Sequence, residues 1–168
     1  FLVIQLLSVS SLFGQEEESF HNADLLIQQW ISSTDRVIQN KGEELDNLIN
    51  NPESMLMLFN GEFNKRGTGT PNSLIVSPEG LDALYNSNGI LESIQLIRIM
   101  TSDLNFSIDI EKLNHIPDLK YIFVLVTHEI CPDNPGNNSC YSEKINNEIS
   151  IPYSEDNPIL IYKVSPLR

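Results

Sequence analysis

Apolar residues recur at helical spacing between residues 22 and 50. The stripe that repeats every three or four positions consists of Leu26, Trp30, Val37, Leu45 and Leu48. Such spacing is typical of an amphipathic helix. Gly42 interrupts the pattern, and Pro52 ends it because proline cannot continue a helix. The pattern therefore predicts one helix over residues 22–40 and a shorter one over residues 43–50.

A second pattern begins at residue 73, where continuous apolar runs alternate with short helix-like segments. The runs predict strands over residues 73–76, 94–100, 120–130 and 159–164. The run over 120–130 has no polar alternation from Tyr121 to Val126, which is typical of a strand buried on both faces. The helix-like segments open at Ser77–Pro78, span residues 110–116 and span residues 142–148.

Between these two regions lies a shorter apolar run and then a polar stretch. Residues 55–59 are apolar, and residues 60–72 are polar with three glycines and a proline. We expect a short strand there, followed by a surface loop.

The order of these elements predicts the fold class. Strands that alternate with short helices indicate βα units and a largely parallel sheet. We expect an α/β or α+β fold in which N-terminal helices pack on a small mixed sheet. A cysteine-bracketed loop and a proline-rich stretch precede the last strand, so an antiparallel direction is open for that strand.

The first 14 residues are apolar, with small residues near their end, and Gln15 and three acids follow at once. This is the pattern of the apolar core and cleavage site of a secretory signal peptide. We therefore expect a partial signal peptide over residues 1–14 and a single soluble domain over residues 15–168. A membrane anchor and a buried first strand are the alternatives, although the run is short for a bilayer-spanning helix.

The charge of the chain limits its partners. The net charge is −13, and Lys65–Arg66 is the only adjacent basic pair. A negative field of this size repels phosphate backbones and anionic lipid headgroups. We expect no nucleic-acid binding and, once the leader is removed, no membrane binding. A basic protein partner or cations would suit the acidity, and plain solubility is the alternative explanation.

Cys131 and Cys140 bracket a turn-rich segment of eight residues. In an exported protein such a pair predicts a disulfide. The alternative is a metal site that combines both thiols with His128 and Glu129, but zinc sites usually place their cysteines closer together.

Two of the predicted strand segments share a motif. Leu91-Glu-Ser-Ile94-Gln-Leu96 and Leu119-Lys-Tyr-Ile122-Phe-Val124 both have the form L-x-x-[LI]-x-[LV], 28 residues apart. Over residues 74–127 the chain resembles the leucine-rich repeats, although Ile99 and Thr127 stand where that family has asparagine. The resemblance implies a short solenoid that presents a strand face to a protein partner, and it carries over no catalytic residue. An ordinary α/β or α+β domain with shared strand spacing is the alternative.

His128 and Glu129 are the candidate site residues, because they lie at the carboxyl end of the strongest predicted strand, where parallel sheets often place a site. Neighbouring residues on a strand point to opposite faces, so the two would not converge on one substrate. We assign no catalytic, cofactor-binding or metal-binding residue.

These observations favour an exported, secreted or periplasmic binding module that is not an enzyme. Its partner is expected to be another protein. One alternative is a small extracytoplasmic hydrolase with a site near His128. Another is an inhibitor or immunity-type protein that neutralises a basic target through charge complementarity.

Overall fold

The computed structural model describes residues 20–87, 91–151 and 158–166. The strands are β1 (His21–Asn22), β2 (Ser54–Phe59), β3 (Glu62–Gly67), β4 (Ser73–Val76), β5 (Leu96–Thr101), β6 (Tyr121–Val126) and β7 (Ile159–Val164). The helices are α1 (Ala23–Ile31), α2 (Arg36–Asn50), α3 (Leu81–Tyr85) and α4 (Asn138–Glu148). The predicted signal peptide over residues 1–14 lies outside the described residues.

The strands form one seven-stranded sheet in the order β1-β7-β6-β5-β4-β2-β3. Every neighbouring pair is parallel except the β2–β3 hairpin. The predicted α/β fold with a mixed, largely parallel sheet is therefore confirmed. The antiparallel option for the last strand is wrong, because β7 runs parallel to both β6 and β1.

The two faces of the sheet are covered by different parts of the chain. Buried residues of the connections between β4, β5, β6 and β7 share one apolar cluster with the strands. Helices α1 and α2 pack in a second cluster on the opposite face. Right-handed crossovers explain this division, because the β1-to-β2 connection crosses the sheet in the opposite direction from the later ones. We call these two surfaces the connection face and the helix face.

The break between α1 and α2 lies at residues 32–35 and not at Gly42, so the predicted boundaries are wrong. Asp35 begins α2, because its side chain accepts a hydrogen bond from the Val37 N–H at 2.8 Å. Gly42 lies inside α2, where a Cβ would come within 2.9 Å of the Ile31 backbone nitrogen. The glycine thus allows close packing of the two helices and does not end one.

The predicted loop over residues 60–72 contains a strand, so that prediction is also wrong in part. Asn60 and Gly61 both have positive φ angles, of 51° and 79°, as a two-residue hairpin turn with a type I′ backbone requires. The chain therefore returns along β2 as β3, whose polar side chains are all exposed and whose Phe63 is partly buried. This hairpin forms one edge of the sheet.

The two segments with the leucine-rich motif are not equivalent in the sheet. Ile97 lies beside Ile122, so the strands are offset by 25 residues and not by the 28 of the motif. Ile94 precedes β5, where its N–H donates to the Leu91 carbonyl in a turn at 3.1 Å. The motif therefore does not describe the strand register.

The short helical predictions differ from the structure mainly at their ends. The segment over 110–116 is a single 3₁₀ turn, Glu111–Leu113, which suits its three-residue apolar spacing. The last helix begins at Asn138, four residues before the predicted start. The segment at Ser77 opens with a 3₁₀ turn, and no hydrogen bond from the Ser77 side chain caps it. Within the described residues, no helix is long and apolar enough to cross a membrane.

Candidate functional site

Glu129 holds together the loop that carries the disulfide. Its Oε1 accepts a hydrogen bond from the Cys131 N–H, and its Oε2 accepts one from the Tyr141 hydroxyl, both at 2.7 Å. The Gly136 N–H donates to the same hydroxyl at 2.6 Å. Burial, followed by the hydrogen bond to Glu129, raises the pKa of Tyr141. Both carboxylate oxygens of Glu129 therefore have structural partners.

His128 is exposed where the chain leaves β6. It lines a shallow depression of about 170 Å³ together with Glu129, Asp103, Lys144 and Glu148. Within the described residues, no hydrogen bond joins His128 to a carboxylate. General acid–base catalysis depends on hydrogen-bond contact with the group whose proton is transferred, and the described residues show no such contact between His128 and another side chain.

The predicted disulfide between Cys131 and Cys140 is present, with the two Cα atoms 6.4 Å apart. Asn137 caps the start of α4 next to it, since its Oδ1 accepts hydrogen bonds from the N–H groups of Ser139 and Cys140 at 3.0 and 3.3 Å. Both thiols are used, which removes the alternative in which they bind a metal. In the described parts of the chain, no group of three or more His, Cys, Asp or Glu could hold a metal ion.

Open parallel sheets usually bind ligands where neighbouring connections depart to opposite faces. Here α1 follows β1 and packs on the helix face, whereas α4 follows β6 and packs on the connection face. The place between them is the carboxyl end of β7, which lies between β1 and β6 in the sheet. The Asn22 amide donates to Asn138 Oδ1 at 3.2 Å, and the Tyr162 hydroxyl donates to the Asn138 carbonyl at 3.3 Å. Tyr162 is only 1 % exposed. Side chains of β1 and β7 thus bond to the start of α4 at this end of the sheet.

A second shallow depression, of about 210 Å³, follows the carboxyl ends of β4 and β5. Its acids have local partners. Asp103 Oδ1 accepts a hydrogen bond from the Asn105 N–H at 2.9 Å. The Ser77 hydroxyl lowers the pKa of the exposed Glu79 carboxyl. These acids therefore act as turn residues at the surface.

The helix face carries an apolar surface that the helices leave uncovered. We call it the apolar strip; it consists of Met57, Phe59, Ile75 and Met100. Phe59 is 69 % exposed and Met100 is 39 % exposed, whereas Met57 and Ile75 are partly buried. All four share one face, because the alternate residues of β2, β4 and β5 lie in the cluster of the connection face.

Arg98 marks the boundary between the apolar strip and the covered part of the helix face. Its guanidinium donates to the Ile49 carbonyl at the end of α2 and lies 5.4 Å from the centre of the Phe123 ring. Burial lowers the pKa of Arg98. The last turn of α2 thus lies beside Arg98, and among the described residues neither β2 nor β4 contributes to the buried cluster beneath α1 and α2.

Sequence reasoning missed the apolar strip and favoured His128 and Glu129, which line one depression but are not joined to each other by a hydrogen bond within the described residues. A signal for it was present, since Met55, Met57 and Phe59 alternate with the buried residues of β2. The sequence did not show that no helix would cover that alternate face. Comparison with protein-family models, curated proteins and solved structures gave no match.

Proposed function

We propose that this chain is an exported binding module for another protein and is not an enzyme. The observation that carries the proposal is the apolar strip, in which Phe59 is 69 % exposed and Met100 is 39 % exposed on the same sheet face. Exposed apolar groups that lie together on a surface mark interaction sites, whereas single ones need no explanation. The disulfide supports export, because disulfides persist in oxidising compartments.

The residue types of the apolar strip also support a protein partner. Aromatic residues, methionine and arginine are enriched in the cores of protein interfaces. The apolar strip combines one phenylalanine with two methionines, and Arg98 lies at its border. Methionine adapts its shape to an irregular partner surface.

The two alternatives stay predictions. A hydrolase centred on His128 would need a base and an orienting partner, and Glu129 already bonds to Cys131 and Tyr141. An inhibitor of a basic target would use the net charge of −13 and would be a special case of the binding module. The apolar strip favours binding through an apolar centre with charges around it.

The test is a pull-down with the full chain as bait, against envelope and secreted fractions of its source, at two salt concentrations. Phe59→Ser should reduce the retained amount of a stoichiometric partner at least about tenfold, as truncation of an interface hot spot does. Val37→Ser is the matched control, because Val37 on α2 is 66 % exposed and Phe59 is 69 % exposed.

Retention that is equal for both variants would place the binding surface elsewhere and would contradict the assignment to the apolar strip. Absence of any retained protein at low salt would contradict a protein partner altogether. Weaker retention at high salt for the wild type would add that the net negative charge contributes to binding.

A further inference from the structure

The strand β3 leaves one side of the sheet open. All six of its residues, Glu62 to Gly67, pair with β2, and within the described residues no strand lies on its other side. The edge is regular, because each residue of β3 opposes one residue of β2. The opposite edge, β1, has only two residues. An edge of this length is a template for another strand.

The hairpin geometry decides which backbone groups of β3 point outward. Backbone groups alternate between the two sides of an antiparallel strand. The two-residue turn is closed by the hydrogen-bonded pair Phe59 and Glu62, so Glu62, Asn64 and Arg66 bond toward β2. The Ser54 hydroxyl donates to the Arg66 carbonyl at 3.4 Å, which agrees with this direction. The N–H and C=O groups of Phe63 and Lys65 therefore face outward.

We propose that β3 pairs with β3 of a second copy of this chain, antiparallel, about a twofold axis at Asn64. In this register Glu62 lies opposite Arg66 of the second copy, and Phe63 lies opposite Lys65. The charges along β3, Glu62 on one side of Asn64 and Lys65–Arg66 on the other, are complementary to themselves when the strand is reversed. Twofold dimers are by far the commonest oligomers, and they require such a self-complementary surface.

Neighbouring registers lack this complementarity. Opposed side chains in an antiparallel pair lie on the same face, so the register can shift only by steps that keep the faces matched. An axis at Lys65 places two lysines opposite each other, and like charges directly opposite are destabilising. An axis at Phe63 places Glu62 opposite Asn64 and leaves both ion pairs unmade. The charge pattern therefore selects the axis at Asn64.

Charged residues on edge strands usually prevent such pairing, and an acidic peptide could also use the basic pair. The position of Glu62 favours a second copy, because an acidic peptide would face repulsion there. The dimer would join the two sheets, and the two apolar strips would then lie on one continuous face with both β3 strands between them. This inference goes beyond the proposed function and does not depend on it.

The test is sedimentation equilibrium of the full chain over a wide concentration range. Arg66→Glu should raise the dissociation constant of the dimer at least about tenfold, because two ion pairs become two like-charge pairs. The double variant Glu62→Arg/Arg66→Glu should restore dimerisation, since it reverses both charges. Lys41→Glu on α2 is the control, because it changes the net charge by the same amount as Arg66→Glu at an exposed position.

Amide hydrogen exchange supplies a second readout. The amides of Phe63 and Lys65 should become protected as the concentration rises, while those of Glu62, Asn64 and Arg66 should not change because they already bond to β2. A wild-type protein that stays monomeric would overturn the proposal. This holds even if Arg66→Glu abolished binding of a different protein at β3. A dimer that Arg66→Glu and Lys41→Glu weaken equally would overturn it too, as would failure of the double variant to restore pairing.

Discussion

The two faces of the sheet differ in how completely they are covered. On the connection face, β2, β4, β5, β6 and β7 all contribute to one buried cluster. On the helix face, only β5, β6 and β7 contribute to the buried cluster beneath α1 and α2. Seven strands about 4.8 Å apart span about 29 Å, whereas two helices of about 10 Å diameter cover about 20 Å. Connections that follow successive strands cover the connection face. The helices α1 and α2 are together too narrow to cover the helix face in the same way.

Neighbouring residues of β4 test this difference most directly, because Leu74 faces the connection face and Ile75 faces the helix face. Leu74 is fully buried, so Leu74→Ala should lower the free energy of unfolding by about 3 kcal/mol. Ile75 is only partly buried, and Ile75→Ala should cost about 1 kcal/mol, because less apolar area and less packing are lost. Urea unfolding of both variants measures the difference.

Equal losses of unfolding free energy in Leu74→Ala and Ile75→Ala would mean that the helix face is packed as tightly as the connection face. That result would contradict the difference between the two faces. The slope of the denaturant dependence serves as the control. It should match that of the wild type in both variants if each still unfolds as one unit.

The helix face does contain a tightly packed contact, which lies between α1 and α2 at Gly42. The variant Gly42→Ala tests how much this contact contributes to the stability of that face. A Cβ at this position would lie 2.9 Å from the Ile31 backbone nitrogen and from the Trp30 Cβ, so α1 and α2 would have to move apart. Overpacking costs about 1–3 kcal/mol, and the better helix propensity of alanine returns about 1 kcal/mol. We expect a net loss of up to about 2 kcal/mol in urea unfolding.

The matched control is Asn40→Ala, two residues earlier at an exposed position of α2. It should leave the free energy of unfolding unchanged or raise it slightly, because alanine has the higher helix propensity. If Gly42→Ala were stabilising as well, α1 and α2 would separate easily, and their packing would not limit the stability of the helix face.

Strands were easier to predict than their surroundings. The runs over 73–76 and 159–164 match β4 and β7 residue for residue, because buried parallel strands are continuously apolar. Strand β3 was missed because Glu62–Gly67 is a polar edge, although the Asn60–Gly61 turn signal precedes it. The helix break was misplaced because a glycine reads as a breaker in sequence, whereas here it fits a close helix contact.

The candidate site was less predictable for a different reason. Residues of the apolar strip come from β2, β4 and β5, and their exposure depends on where α2 ends above the sheet. That end depends on packing between distant parts of the chain, which periodicity does not report. His128 and Glu129 stood out because they were predicted to end the strongest strand, whereas β6 ends at Val126 and Glu129 bonds within its own loop. The disulfide was predictable because its two cysteines bracket a single turn-rich loop.

The smallest expected change in the free energy of unfolding concerns the loop that carries the disulfide, on the connection face. Tyr141→Phe removes the hydroxyl that joins Glu129 to the Gly136 N–H. We expect a loss of about 1 kcal/mol at neutral pH, because the exposed Gly136 and the partly exposed Glu129 can bind water in place of the lost hydroxyl. Urea unfolding of the variant and the wild type gives this difference.

The pH dependence of that difference identifies its cause. In the unfolded chain Tyr141 loses its proton near pH 10, whereas burial and the bond to Glu129 raise its pKa in the folded protein. Above about pH 10 the unfolded state therefore binds fewer protons than the folded state, and the wild type loses stability as the pH rises. The wild type should approach Tyr141→Phe in this range, since the other tyrosines titrate alike in both. A difference in the free energy of unfolding that stays constant from neutral pH to alkaline pH would mean that the hydroxyl contributes through packing alone. Apolar burial and the disulfide would then hold the loop on the connection face, without a contribution from the hydrogen bonds of Tyr141.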